Sequence, residues 1–518
     1  MMPGGQGARH RPLWSLFVNV VANALGRYWS GLLQFAFTPA YVRLLGPEAY
    51  GLVGFYAMLL GTLALLDGGV SPVLTREFGR LGGRDAAAGE MRDLLRSLEA
   101  VSLATAAVAG ALVIVAAPQI VEHWLRPGRL PPAEVVGAVR LMGLVIACQW
   151  PSNLYSAGFV GLHRQDRLLR LRLGFVTAQW AGAALLLWRV APRVELLLGW
   201  QALCFAVLSL WLGRALWRLL PPWPVRPKFR AASLRAVWRF AAGSFAIGVS
   251  IAVLTQADKL VVSRYAALGV FAGYSLAFTL GSLISILVVQ PIGSALLPHF
   301  ARVFAEGDRG VLAHDYHRWT QVVAALTLPL AGMLIAFAHP LVAAWLGPGS
   351  SLVGPVAALL PWVAAGTTFN SLMMLPYVLQ IASGWTRLSV TQNLVTAALL
   401  IPALVLGVRT FGAAAGAWYW LAMNVGYYLI MVPLMHRRLL RREMLRWWRD
   451  DTLLPMAVAG AIFALSWALA PENPSRLEGL AQAAGTAVVA GAVLGLMMPH
   501  PRAMALVLIL RFRQWQAG

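Results

Sequence analysis

The chain carries about fourteen apolar runs long enough to cross a bilayer, and that excludes most of what a polypeptide of 518 residues can be. Crossing takes ~20 residues as a helix, because away from water only helices and closed barrels satisfy every backbone N–H and C=O. The runs lie near 13–38, 50–66, 97–117, 135–159, 171–188, 194–216, 238–263, 270–296, 319–338, 353–377, 388–407, 411–435, 452–470 and 481–498. Only 12% of residues are charged, about half the ~25% of a soluble domain. The expectation is an all-α polytopic membrane protein held in a cell (inner or plasma) membrane.

A net charge of +22 would suggest nucleic acid in a soluble protein, but its distribution gives it another meaning. With the N-terminus cytoplasmic, alternate loops hold roughly 31 of the Lys and Arg residues and the opposite loops roughly nine. The excess is therefore a topology signal and an attraction to anionic lipid at the cytoplasmic face, and no nucleic-acid partner is expected. An even number of spans puts both termini inside. The organisation read from the loops is a cytoplasmic segment 1–12, spans one to six over 13–220 and a Pro-rich basic linker over 221–237. Spans seven to twelve follow over 238–436, then a basic elbow 437–451, a final helix pair 452–500 and a basic tail 501–518. The first run lacks a cleavage pattern after it and is expected to stay as an anchor. Cys148 and Cys204 both sit inside apolar runs, so neither a disulfide framework nor a metal site is expected. No Walker-type glycine loop occurs, and no cofactor is expected.

The first run should not have an arginine at its centre. Around Arg27 sit Asn19, Asn23, Ser30, Gln34 and Thr38, three or four residues apart and so on one side of a helix. A cation at mid-membrane costs on the order of 3 kcal/mol unless it meets water or a partner. A wet, cationic stripe facing a cavity accounts for it; structural pairing or snorkelling to an interface is the alternative. The seventh run repeats the anomaly with Thr255-Gln-Ala-Asp258-Lys259 deep in apolar sequence. Neighbours on a helix point about 100° apart, so Asp258 and Lys259 are not expected to face each other, and an ion pair joining helices is the competing reading. Ser275, Thr279, Ser282 and Gln290 follow at helical spacing in the eighth run. Gln149, Asn153, Asn370, Gln392 and Asn393 either line the same cavity or hold helices together.

The two halves echo each other. Leu44-Leu-Gly46-Pro-Glu-Ala-Tyr50-Gly51 follows the first run, and Ala267-Leu-Gly269-Val-Phe-Ala-Gly273-Tyr274 follows the seventh, about 223 residues on. An even number of helices separates them, which implies parallel repeats about an axis along the membrane normal.

These segments carry a family resemblance. Arg43-Leu-Leu-Gly46-Pro-Glu-Ala-Tyr50-Gly51 after a polar first helix resembles the polysaccharide-transporter (O-antigen flippase) branch of the MOP exporter superfamily. So does Asp258-Lys-Leu-Val-Val-Ser-Arg-Tyr-Ala-Ala-Leu-Gly269 with Gly273-Tyr274, and so do Gly384-Trp-Thr-Arg387 and Phe411-Gly-Ala-Ala-Ala-Gly-Ala417. The resemblance covers about residues 13–435. It implies two six-helix lobes about a central, often cationic cavity, with an extra C-terminal helix pair in some members. It also implies flipping of a polyprenyl-pyrophosphate-linked oligosaccharide from the cytoplasmic to the outer leaflet for cell-surface polysaccharide biosynthesis. By the resemblance Arg27 and the Asp258 region line the lumen. The sequence around the arginines of related lipid II flippases is not found here.

The candidate cavity set is Arg27, Asn23, Gln34, Asp258, Lys259 and Asn370, with Asp258 the coupling candidate. Cationic groups suit a pyrophosphate, amides suit sugar hydroxyls, and the lipid tail stays in the bilayer. Polysaccharide-synthesis machinery is a further expected partner. Two rival readings remain. A MATE-like drug/cation antiporter of the same fold needs cavity carboxylates, for which Asp258 and Asp67 are the candidates. A membrane glycosyltransferase or polymerase needs catalytic groups on a sizeable outer loop, whereas the outer loops here are short. The expectation is a transporter and not an enzyme.

Overall fold

The computed structural model describes residues 13–63, 69–81, 88–471 and 475–503, with side chains outside that description at 13–28 and at scattered positions of 233–251 and 386–389. The expected segment 1–12 and most of the tail 501–518 therefore lie outside the described residues. The described residues are helical, in the order α1 Leu13–Leu63, α2 Val70–Leu81, α3 Ala88–His123, α4 Pro132–Gly161, α5 Gln165–Arg189, α6 Val194–Leu219 and α7 Ala231–Tyr265. Next come α8 Leu268–Ile284, α9 Gln290–Glu306, α10 Arg309–Ala336, α11 Ala338–Leu346, α12 Val353–Leu372 and α13 Met374–Ala382. The series ends with α14 Thr386–Phe411, α15 Ala413–Gly426, α16 Val432–Leu439, the single turn α17 Met444–Arg446, α18 Leu454–Ala468 and α19 Arg476–Met497. Among the described residues eleven stretches are long and apolar enough to cross a membrane. The protein is a multi-pass membrane protein of all-α class. α1 runs through both of the first two expected spans, and the expected spans at 238–263 and 411–435 are helical as α7 and α15–α16.

Local chemistry explains the breaks. The loop expected between 38 and 50 is helix interrupted at one residue, Gly46, whose φ of 80° only glycine adopts freely. Pro47 then sits where a helix start has no need of its missing N–H. Three π-helical turns, Ser285–Val289, Tyr427–Met431 and Trp447–Leu453, each end two residues before a proline: Pro291, Pro433 and Pro455. A proline ring clashes with the carbonyl four residues back and donates nothing to it, so the helix widens there instead of continuing its ladder. The stretch between the expected runs 270–296 and 319–338 is mostly helix as well. α9 closes on left-handed Gly307, and Asp308 caps α10 by accepting from the N–H groups of Gly310 and Val311.

The chain divides into two compact units, one comprising 1–40, 63–118 and 133–249, the other 41–62, 119–132 and 250–518. In the first, α2 lays Val73, Leu74, Phe78 and Leu81 on a core shared with Leu95, Phe159, Leu212 and Leu216. Its exposed face carries Arg76 and Arg80, the amphipathic division its spacing dictates. α3 and α4 cross backbone to backbone, since a Cβ on Gly110 would stand 2.8 Å from Gly143 O and one on Gly143 2.7 Å from Gly110 O. Glu99, almost buried, accepts from Tyr155 Oη (2.7 Å), Trp217 Nε1 (3.2 Å) and Arg96 Nη1 (2.9 Å). The first part of the expected linker is no free tether. Asp93 takes the Arg230 guanidinium at 2.6 Å and the Lys228 N–H at 2.8 Å, and Arg92 Nε donates to Pro221 O at 2.8 Å.

In the second unit α12 packs against α8, α10 and α15, while α18 and α19 dock on α10. The docking is close because Gly332 leaves its Cβ space to the Phe463 ring, and Ser466 and Thr486 bond at 2.6 Å between the last two helices. Phe300, Tyr316, Leu375, Met435 and Trp447 form its buried core.

Candidate functional site

Three of the sequence segments singled out above meet at one buried carboxylate. Asp258, on α7, is fully buried. A buried carboxylate is tolerated only where donors replace water, and here they do. Tyr274 of α8 donates its hydroxyl to Asp258 Oδ2 at 2.6 Å. The Lys259 ammonium lies 3.3 Å from both carboxylate oxygens and donates to Thr255 O at 2.9 Å. Adjacent helix positions do diverge, yet the four-carbon stem of Lys259 curls back over its own turn, so the two charges pair after all. The expectation that they would not face each other was wrong for that reason. Gly416 of α15 makes room for the tyrosine: a Cβ there would stand 2.8 Å from Tyr274 Oη and 2.7 Å from Val262 Cγ2.

The pair is not symmetrical. The Lys259 side chain keeps 24% of its surface exposed, whereas that of Asp258 keeps none. Lys259 also lies 4.4 Å from the centre of the Phe278 ring, whose face favours a cation. An aromatic series leads onward, with Tyr274 to Phe278 at 4.9 Å and Phe278 to Trp420 at 5.8 Å between ring centres. Trp420 O accepts from Asn424 Nδ2 at 2.7 Å, and Asn424 Oδ1 accepts from Asn370 Nδ2 at 2.9 Å. Asn370 thus connects to Lys259 through this series rather than by contact. Nearby, Tyr427 donates to Asn393 Oδ1 at 3.0 Å and Tyr419 to Leu254 O at 3.3 Å.

Gln34 is exposed on α1. Arg27 and Asn23 lie on α1, and their side chains fall outside the described residues. Sequence reasoning missed Tyr274 as the partner of Asp258, although the Gly273-Tyr274 pair was its signal. It also missed Phe278, Tyr419 and Trp420, which no spacing distinguishes from ordinary core aromatics.

A second constellation gathers the Arg43–Gly51 motif. Glu48 accepts from the backbone N–H groups of Gly128 and of Arg129, the latter at 2.9 Å, which fixes the turn between α3 and α4. Arg43 Nε donates to Leu346 O at 3.4 Å. Gly51 is occluded by the Leu268 carbonyl, and a Cβ on Gly54 would stand 2.9 Å from Ser275 Cβ. Gly61 sits against the Gln256 amide in the same way. Trp124 Nε1 donates to Ser263 Oγ at 3.0 Å. Glycines therefore seat residues 51–61 directly on α7 and α8.

Comparison with known proteins agrees with this picture. Residues 41–349 match a family described as polysaccharide biosynthesis protein. Among solved structures the fold is similar to that of the lipid II flippase MurJ in an inward closed conformation, with a TM-score of 0.69 at 11% identity, covering 93% of this chain and 98% of that one. It is also similar to an inward-facing multidrug-resistance MATE transporter of the MOP superfamily, with a TM-score of 0.67 at 13% identity, covering 80% of this chain and 99% of that one. A MOP-superfamily transporter from Pyrococcus furiosus, described as having a binding pocket of reversed polarity, gives a TM-score of 0.55 at 14% identity, covering 82% and 96%. No curated protein matches by sequence.

Proposed function

The chain belongs to the polysaccharide biosynthesis protein family, and from that premise we propose that it flips a polyprenyl-pyrophosphate-linked oligosaccharide from the cytoplasmic to the outer leaflet by alternating access. The observation that carries the reading is the asymmetry at Asp258–Lys259. The carboxylate is spent on Tyr274 and Lys259, and the charge left partly exposed is an ammonium. A cation antiporter needs the opposite, an accessible carboxylate. An ammonium attracts phosphate as a point charge. Arg27, one half-chain earlier, supplies a second cation of the same use, and the partly exposed Asn370 amide suits sugar hydroxyls.

An inside-negative membrane favours outward movement of an anion by ~2.3 kcal/mol per charge per 100 mV. About two charges on the cargo gain a few kcal/mol, which biases export without a nucleotide. The close seating of residues 51–61 on α7 and α8 is then the outer closure, which must part for release. The exposed arginines Arg437, Arg438, Arg441, Arg442, Arg446 and Arg449 face anionic lipid headgroups at the cytoplasmic surface of an inner or plasma membrane. Both termini lie on that side.

The test is translocation of a pyrophosphate-linked oligosaccharide lipid in liposomes, comparing wild type with Lys259→Ala and Arg27→Ala. Flipping by wild type that is lost in folded variants supports the reading. Equal flipping by all three makes both cations structural. Failure of all three, together with movement of a cationic dye against a proton gradient, replaces the flippase with an antiporter.

A further inference from the structure

Away from Asp258, a second set of buried ionisable groups gathers where the last helices meet α10. His317 of α10 is fully buried and has a carboxylate on each ring nitrogen. Nδ1 contacts Asp451 Oδ2, and Nε2 lies 2.9 Å from Glu443 Oε2. Asp451 is itself fully buried in the π-helical turn Trp447–Leu453, four residues before Pro455, and its other oxygen accepts from Gln321 Nε2 at 2.8 Å. Gln321 Oε1 in turn accepts the His500 N–H, beyond α19, at 3.3 Å. The other ionisable groups around this cluster are His436 of α16, Arg446 of α17, Tyr428, His500 and, on α10, His314, Asp315, Tyr316 and Arg318. Asp315 is already held by His299 of α9 at 2.7 Å, and α12 contributes no ionisable residue.

A neutral imidazole has one N–H and one bare nitrogen. A bare nitrogen against a carboxylate oxygen at hydrogen-bond distance sets lone pair against lone pair. Two such contacts on one ring therefore call for a proton in each N···O gap, and the imidazole, ordinarily a stronger base than a carboxylate, is where both belong. Beside the triad, Tyr316 Oη, His436 Nε2 and Trp447 Nε1 are buried and make no hydrogen bond among the described residues. Their rings adjoin, with Tyr316 to His436 at 5.5 Å and His436 to Trp447 at 5.6 Å. Burial, His314 and the arginines Arg446 and Arg318 push His500 below the ordinary histidine value, against the pull of Asp451. A chain that needed only packing here would fill the space with apolar residues, as it does throughout the surrounding core.

We infer that His317, Asp451 and Glu443 form a proton-binding site whose bound proton fastens the C-terminal helix pair to α10. With the proton in place the triad is an imidazolium between two carboxylates, and three separate segments close on it. When the proton leaves, one N···O contact becomes repulsive and one segment is released. Glu443, whose side chain is 28% exposed, is where the proton enters and leaves, because Asp451 has no exposure.

The experiment is histidine 15N NMR of the full-length protein in nanodiscs, with His317→Gln subtracted to isolate one ring. The expected difference signal has both nitrogens protonated at neutral pH. In Glu443→Gln, which removes the half-exposed carboxylate and is expected to fold normally, the same ring shows one bare nitrogen. Amide hydrogen exchange in α18 and α19 should rise in wild type over the pH range in which the imidazolium signal is lost. A difference signal with one bare nitrogen in wild type at neutral pH overturns the inference. So does exchange in α18 and α19 that is indifferent to that transition.

Discussion

Tyr274→Phe isolates a single oxygen at the centre of the candidate site. The hydroxyl gives Asp258 its one short hydrogen bond, at 2.6 Å, while Lys259 reaches the carboxylate only at 3.3 Å. A hydrogen bond to a charged group contributes ~1.5–3 kcal/mol net, and the burial of Asp258 places this one toward the upper end. The ring itself keeps its neighbours Phe271 and Phe278, so the fold is expected to survive. In an Asp258→Asn background the same substitution removes a bond between neutral groups, at ~0.5–1.5 kcal/mol. The double-mutant cycle should therefore show a coupling of ~1–2 kcal/mol, well above the ~0.3–0.5 kcal/mol scatter of independent sites. Reversible unfolding in mixed micelles by detergent titration measures the four corners. A cycle that closes to within that scatter refutes the assignment of Tyr274 as the principal hydrogen-bond donor to Asp258.

Gly54→Cys with Ser275→Cys, in a background without Cys148 and Cys204, places two thiols where the Cβ positions are 2.9 Å apart, slightly inside the ~3.5–4.5 Å of an ordinary disulfide. Oxidation should abolish translocation and reduction restore it; unimpaired translocation by the oxidised protein refutes the outer closure assigned to residues 51–61. Gly416→Ala should disturb the same carboxylate as Tyr274→Phe, costing ~1–3 kcal/mol by overpacking against Tyr274 and Val262 Cγ2, and most of that cost should persist once Tyr274 is Phe because Val262 and the ring edge remain, read by the same unfolding assay. Asp93→Ala removes the acceptor of Arg230 and Lys228, so limited proteolysis should cut within 221–230 several-fold faster than in wild type. Pro455→Ala restores a backbone donor and allows the π-helical turn to tighten, which should carry Asp451 away from His317 and change the His317 15N signal.

The sequence alone determined the class of this protein, because the bilayer leaves a chain no choice. Runs of ~20 apolar residues must be helices, and charge between them must fall on one side. It also marked the anomalies, since Asp258 and Lys259 stand out against apolar neighbours whatever the fold. The motif glycines, by contrast, declared themselves only as motifs. Gly416 adjoins Tyr274, and Gly51 adjoins Leu268, across 142 and 217 residues of chain, and no periodicity links such pairs. The loop expected at 38–50 became helix because one glycine absorbed the whole break, and the first part of the linker at 221–237 was strapped down by Asp93 and Arg92, more than a hundred residues earlier. Tertiary structure decided which charges pair. Asp258 and Lys259 diverge on the helix, yet the lysine stem is flexible and the buried carboxylate has few other donors. His317 was unremarkable until folding set it between two acids 126 and 134 residues away. Hydrophobicity is a property each residue carries along the chain, whereas pairing belongs to the space between residues, and only the folded chain creates that space.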